Sequence, residues 1–200
     1  MTVLTASAPV EVKENEQMPP QGEWTYADYL RLPDDGWQYE VIYGRLLMNP
    51  APSPTHQRII SELLTAIKIF LRQHPVGEVF PAPTDVVIPG KAEPVQPDLV
   101  FVAAERMDIV TQRAIEGVPD LTVEVLSPTN WLDDRRTKFA LYAEIGVREY
   151  WIVDPDQRTV EVFSLQEGRY ALVDRYGSDD TLRSDILPGF EVAVASFFPT

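Results

Sequence analysis

Five apolar residues, Ile60, Leu63, Leu64, Ile67 and Leu71, fall three or four positions apart, which predicts a helix over residues 55–73 with one face in the core. Pro50 and Pro52 break the chain just before it. Elsewhere the pattern shortens. A short helix is expected over residues 25–31 with Thr25 as its N-cap, followed by a turn at residues 33–36. Residues 39–43 and 44–48 read as a hairpin or one bent strand. Val79 and Phe80, residues 84–88 and residues 98–102 read as further strands, and residues 104–117 as a loop with one helical turn.

The clearest unit lies beyond that loop. Residues 121–126 form an apolar strand, residues 128–130 start a helix that runs over 131–145, Gly146 ends it, and residues 149–153 form another strand. Strand, helix, strand at this spacing predicts a parallel pair joined by a right-handed crossover. Residues 159–165 and 169–175 then pair across a turn at 166–168, and residues 187–190 and 192–198 close the domain. The fold class is α/β or α+β, with a mixed sheet flanked by helices and an extra C-terminal β-hairpin.

Two hundred residues suffice for one domain with a full core and are short for two. Residues 1–22 contain Pro9, Pro19 and Pro20 around a polar centre, so a flexible tail is expected there and a single domain over 23–200. That tail has no basic start followed by an apolar core, which argues against a secretory signal. No apolar run approaches the roughly 20 residues that span a membrane. With no cysteine, disulfides, thiolate zinc sites and a cysteine nucleophile are excluded. A soluble cytoplasmic protein is the expectation.

Charge narrows the choice of partners. Seventeen basic against 31 acidic residues give a net charge of −14, which argues against a chain wrapped in nucleic acid. A local cationic groove remains compatible with it. Only four of the cations are lysines, Lys13, Lys68, Lys91 and Lys138.

The candidate chemistry lies in three residues. Asp98 opens one apolar strand, Glu124 interrupts another, and Lys138 lies on the helix that follows. A carboxylate in a half-buried strand is costly unless it is paired, protonated or bound to a metal. Glu124 shares a face with Thr122 and Leu126, and Asp98 with Val100 and Val102. If the strands pair antiparallel, the start of one meets the end of the next and the two carboxylates converge. The helix must run back along the sheet, and Lys138, about 12 Å along its axis from Asn130, would then hang above Glu124. Asp134 lies one turn earlier on the same face.

Each residue also has a plainer reading. Glu124 would be a water-facing edge glutamate, Asp98 a turn acid, and Lys138 a solvated cation. Glu40 would pair with Arg45 across the hairpin, and His56 would cap its helix or sit satisfied near the surface. Asp85 would be an ordinary strand acid, and Asp134 an ion-pair partner of Lys138. Arg135 and Arg136 would contact phosphate or form a solvated face. Glu149 reads as a paired core glutamate, Asp154 as a turn residue before Pro155, and His74 as a helix C-terminal residue.

Taken together, Pro97-Asp98, the run Val123-Glu124-Val-Leu-Ser-Pro128, Asp134, Lys138, Tyr142, Gly146-Val147 and the run from Glu149 to Pro155 resemble the Uma-two family of endonucleases, within the PD-(D/E)XK restriction-endonuclease-like superfamily. Tyr39-Glu40, His56, Asp85 and Leu187-Pro-Gly189 fit as well, so the likeness runs from about Tyr26 to Phe198. The resemblance implies a restriction-endonuclease-like core in which Asp98, Glu124 and the carbonyl of Val125 ligate Mg²⁺, with Mn²⁺ as an alternative. It implies a catalytic role for Lys138, because Leu126 stands where such enzymes carry their lysine, and for Glu40 as the acid from the N-terminal element. His56, Asp85 and Asp134 would support the site.

The implied function is a metal-dependent endonuclease that hydrolyses DNA phosphodiester bonds, with weak DNA affinity expected from the net charge. A homodimer would supply the two sites that cutting both strands needs. The alternative is a nuclease-fold binding or regulatory module with little catalysis. An intact acid pair with a lysine favours the enzyme; the charge of −14 favours the module.

Overall fold

The computed structural model describes residues 18–127 and 131–198, with the side chains of all but 131–135. Most of the expected tail, the side chains of the site candidates Asp134 and Arg135, and the helix-start residues 128–130 therefore lie outside what is described. At the end of the expected tail, Gln21 exchanges hydrogen bonds with the main chain of Leu46, and the Gly22 N–H donates to the Gly44 carbonyl at 2.7 Å.

Local sequence accounts for the first elements. Helix α1 (Tyr26–Tyr29) is capped by Thr25, whose hydroxyl accepts from the Asp28 N–H while the Asp28 carboxylate accepts from the Thr25 N–H. Strands β1 (Gln38–Ile42) and β2 (Arg45–Asn49) form the expected hairpin around Tyr43 and Gly44, both at positive φ. Position 44 must be glycine for a second reason: a Cβ there would sit 2.4 Å from the Gly22 carbonyl oxygen. Helix α2 (Pro54–Gln73) starts with proline in its first turn, behind the N-cap Ser53, and buries Ile59, Ile60, Leu63 and Ile67.

The remaining strands are β3 (Gly77–Pro81), β4 (Val86–Ile88), β5 (Ala92–Val95), β6 (Leu99–Ala103), β7 (Leu121–Val125), β8 (Glu149–Asp154), β9 (Thr159–Gln166), β10 (Arg169–Tyr176), β11 (Thr181–Arg183) and β12 (Glu191–Ala193). A 3₁₀ turn at Ala104–Ile109 follows β6, and α3 (Trp131–Ile145) joins β7 to β8. One sheet has six strands in the order β10-β9-β8-β7-β6-β3. Only β7 and β8 run parallel, across α3 as the crossover; the other neighbours are antiparallel. This is a mixed α/β fold, as expected. The unforeseen strands are β5, β11 and β12. They are three or four residues long, too short to show a period, and Pro94 argues against β5 from composition alone.

Both faces of the large sheet are covered, which explains the continuous apolar runs of β6 and β8. On one face Ile59, Leu63 and Ile67 of α2, with Leu187, Phe190 and Phe197, pack on Leu99, Phe101, Val123 and Trp151. On the other, Leu141 and Tyr142 of α3, with Ile42, Ala92 and Val95 of the small sheet β2-β1-β5-β4, pack on Val100, Val102, Tyr150 and Ile152. Among the described residues, no helix is long and apolar enough to cross a membrane.

Glu149 is the paired core glutamate that its surroundings suggest. It accepts from the Ser184 hydroxyl (2.6 Å), the Trp151 indole N–H (2.8 Å) and the N–H groups of Asp185 and Ile186 (2.9 and 3.3 Å), fastening the C-terminal segment to β8. Burial raises its carboxyl above the ordinary range, against the pull of those donors. A folded-state carboxyl raised in this way adds stability at acid pH that is lost as the pH rises through its folded value. The melting temperature of the wild type minus that of Glu149→Gln is therefore expected to fall between about pH 4 and pH 7. A difference that rises with pH would contradict the upward shift.

Candidate active site

The register Leu99↔Val123 between antiparallel β6 and β7 sets Asp98, one residue before β6, opposite Glu124. Asp98 Oδ2 accepts the N–H of Val125 at 2.7 Å, which ties the carboxylate to the end of β7. Glu124 projects with Thr122 and Val100 toward α3, and α3 meets it there. Lys138 Nζ donates to Glu124 at 3.2 Å, and the Tyr142 hydroxyl donates to Glu124 Oε1 at 2.6 Å. Lys138 and Tyr142 are one helical turn apart, so a single stripe of α3 grips one carboxylate. Tyr142 is fully buried beside Glu124, and both burial and that charge push its hydroxyl pKa well above the usual value.

Glu40 completes the cluster from β1. It is 2% exposed and lies 3.0 Å from Lys138 Nζ. It also accepts from the Gln96 N–H (2.7 Å) and the Asn49 side-chain amide (3.0 Å). Glu40 therefore pairs with Lys138 and not with Arg45, which faces Ile42 in the hairpin register. Asp85 stands one step further back. It accepts from the hydroxyls of Tyr26 (3.0 Å) and Tyr29 (3.1 Å) and from the Gln96 side chain (2.7 Å), the residue whose N–H serves Glu40. Burial, with the hydrogen bond to Asp85, pushes the Tyr26 hydroxyl up to about 12.

His56 enters from the first turn of α2. The cap of that helix is Ser53, whose hydroxyl accepts from the His56 N–H, so the imidazole itself is directed elsewhere. Its Nε2 lies 3.0 Å from the Val125 carbonyl and 3.2 Å from Asp98 Oδ2. Both partners only accept, so Nε2 must carry a proton. Nδ1 is buried, with no hydrogen-bond partner among the described residues. Burial lowers the imidazole pKa, but the bond to Asp98 and its charge outweigh that and the net shift is upward.

The structure thus brings Asp98, Glu124, Lys138, Glu40, His56 and the Val125 carbonyl together, and leaves Asp85 behind them. Tyr142, Gln96 and Asn49 complete the network. The one signal for Tyr142 is its helical spacing from Lys138, which sequence reasoning left unused; the other two follow from the docking of the small sheet and have no local signal.

Among the described residues, no three His, Asp or Glu side chains form a ready metal cage. The donor types, two carboxylates and a main-chain carbonyl, are nevertheless those that Mg²⁺ takes: Asp98 stands opposite Glu124 in the strand register, and Asp98 and the Val125 carbonyl both contact His56 Nε2. Mg²⁺ takes one or two carboxylates with oxygen donors and retained waters, and does not demand an all-protein cage.

No curated protein matches the chain. Among solved structures, a crystal structure described as a "putative nuclease belonging to DUF820" from Anabaena variabilis ATCC 29413 shares the fold, with a TM-score of 0.71 at 21% identity over 87% of this chain and 97% of that one. The family model described as "Uma2: Putative restriction endonuclease" matches residues 26–195, and the chain belongs to that family.

Proposed function

We propose that residues 23–200 form a single nuclease domain that hydrolyses DNA phosphodiester bonds with a bound divalent cation, Mg²⁺ or Mn²⁺. The observation that carries this reading is the pairing of Asp98 and Glu124 on adjacent strands, with Lys138 held against Glu124. Asp98, Glu124 and the Val125 carbonyl would hold the cation, which when bound would activate water and offset charge on the phosphate. The chain's own groups divide the remaining work. Tyr142 and Lys138 fix the Glu124 carboxylate, and the Val125 N–H fixes Asp98. Glu40 acts through Lys138, holding its ammonium at the site where it orients water or the phosphate. His56 positions Asp98 and the Val125 carbonyl relative to each other by contacting both through Nε2.

The test is cleavage of supercoiled, linear and single-stranded DNA by the purified protein with Mg²⁺ or Mn²⁺, and with a chelator. Cleavage that needs the cation is expected. No cleavage of any of the three substrates would favour the binding-module reading, which the charge of −14 supports.

A further inference from the structure

Beside the carboxylate pair lies a cavity of about 460 Å³ that the reading above leaves unused. It sits beyond the C-terminal ends of β7 and β8, the parallel pair, where α/β sheets commonly take their ligands. One wall is the first turn of α2, with Thr55 and His56; another is Leu126 and Ser127, directly after Val125; the third is the turn from Asp154 to Gln157 between β8 and β9. His56 belongs to both places. It lines the cavity while its Nε2 touches Asp98, so a group attached to a phosphate at the carboxylate pair has the cavity as its next space.

The lining specifies the chemistry of the occupant. Among the described residues it holds Asp154 and Asp156 and no lysine or arginine, a lining that disfavours a phosphate. Leu126 and Pro155 offer apolar surface to a flat ring, and Asp156, exposed on its turn, a carboxylate. Asp154 is committed to its own turn, its Oδ1 accepting from the N–H groups of Asp156 and Gln157 at 2.9 Å each. The volume falls in the range of small-molecule sites, roughly 300–1,000 Å³.

We propose that this cavity receives the nucleobase next to the scissile phosphate, with a preference for bases that carry an exocyclic amino group. The inference rests on the nuclease reading for its placement beside a phosphate. A base seated there has left its stack, which costs least where the strand is unpaired. The substrate class is therefore single-stranded or locally unpaired nucleic acid. That fits a chain of net charge −14, which has little to offer the two backbones of an intact duplex.

The test is amide-resolved NMR on the full chain, titrated with deoxycytidine monophosphate, thymidine monophosphate, deoxyribose 5-phosphate, and Mg²⁺ alone. Deoxycytidine monophosphate is expected to shift the amides of Thr55, Ser127 and Gln157 and to bind at least about fivefold tighter than the thymidine nucleotide, the worth of one hydrogen bond. Mg²⁺ held by the Val125 carbonyl would itself move the neighbouring Thr55 and Ser127 amides, so the discriminating amide is Gln157: deoxyribose 5-phosphate and Mg²⁺ alone should leave it unmoved, and Asp156→Trp, which fills the cavity, should remove its response to nucleotide. Equal shifts from the base-free sugar phosphate would make this a phosphate site. An equal Gln157 shift from Mg²⁺ alone would make it a cation site. Each overturns the proposal, as does unchanged nucleotide binding in Asp156→Trp. No arm depends on cleavage. Nucleotide binding without any DNA cutting would sink the nuclease reading alone, and cutting without these shifts would sink the base pocket alone.

Discussion

Asp98→Asn is expected to lower the rate of DNA cleavage at saturating Mg²⁺ by about a thousandfold or more while leaving the fold intact. The substitution keeps the shape of the side chain and an oxygen for the Val125 N–H, but removes the charge that would hold a cation. Charge stabilisation by a bound metal is worth several kcal/mol, and each 1.36 kcal/mol is a factor of ten in rate. The structural cost is smaller, because a hydrogen bond to a charged acceptor contributes about 1.5–3 kcal/mol and only part of that is lost when the acceptor becomes an amide. A binding readout separates the two effects. If Asp98 holds the cation, Mg²⁺ raises the melting temperature of the wild type in proportion to its affinity, and this shift disappears in Asp98→Asn. Cleavage within tenfold of wild type, or an undiminished Mg²⁺ shift, would remove Asp98 from the proposed centre.

Asp98 and Glu124 are legible in the sequence because a carboxylate inside an apolar strand is an energetic anomaly that demands a partner. Their meeting is legible too, since antiparallel pairing of β6 with β7 follows from strand ends and side-chain alternation. Lys138 can be placed from lengths alone, the rise of α3 against the rise of β7. Glu40 is harder. From sequence, Arg45 is its obvious partner because it is near along the chain, whereas Lys138 becomes adjacent only when the small sheet docks on the face that α3 also covers. His56 shows the same limit. Its neighbourhood in sequence suggests a cap, but Ser53 fills that role, and the contact with Asp98 depends on where α2 crosses the strand ends. Strand β5 is hidden by Pro94, although its main chain carries β1 and β4 on either side. Pattern and length therefore recover the central unit, while the sheet that presents Glu40 is set by long-range packing.

Lys138→Met is expected to cost about 3–5 kcal/mol of stability, the usual loss when one member of a buried ion pair is removed. Methionine replaces the stem but leaves Glu40, 2% exposed, and Glu124 facing each other with no ammonium between them. Among the described residues Gln96 and Asn49 already serve Glu40 and Tyr142 already serves Glu124, and none of these three carries a positive charge to offset a second buried carboxylate. The penalty is therefore electrostatic more than steric, and neutralising one acid should relieve it. In the double variant Glu40→Gln, Lys138→Met, more than half of the lost stability is expected to return, because the amide that replaces the Glu40 carboxylate keeps acceptor and donor capacity for its neighbours without the charge. Denaturant unfolding of the wild type, both single variants and the double variant measures this coupling directly. Additive losses would show that Glu40 and Lys138 do not depend on each other. Recovered stability should not bring recovered cleavage, since the double variant restores charge balance and lacks the ammonium. A double variant that cuts DNA at the wild-type rate would leave Lys138 a structural counter-ion and take it out of the chemistry.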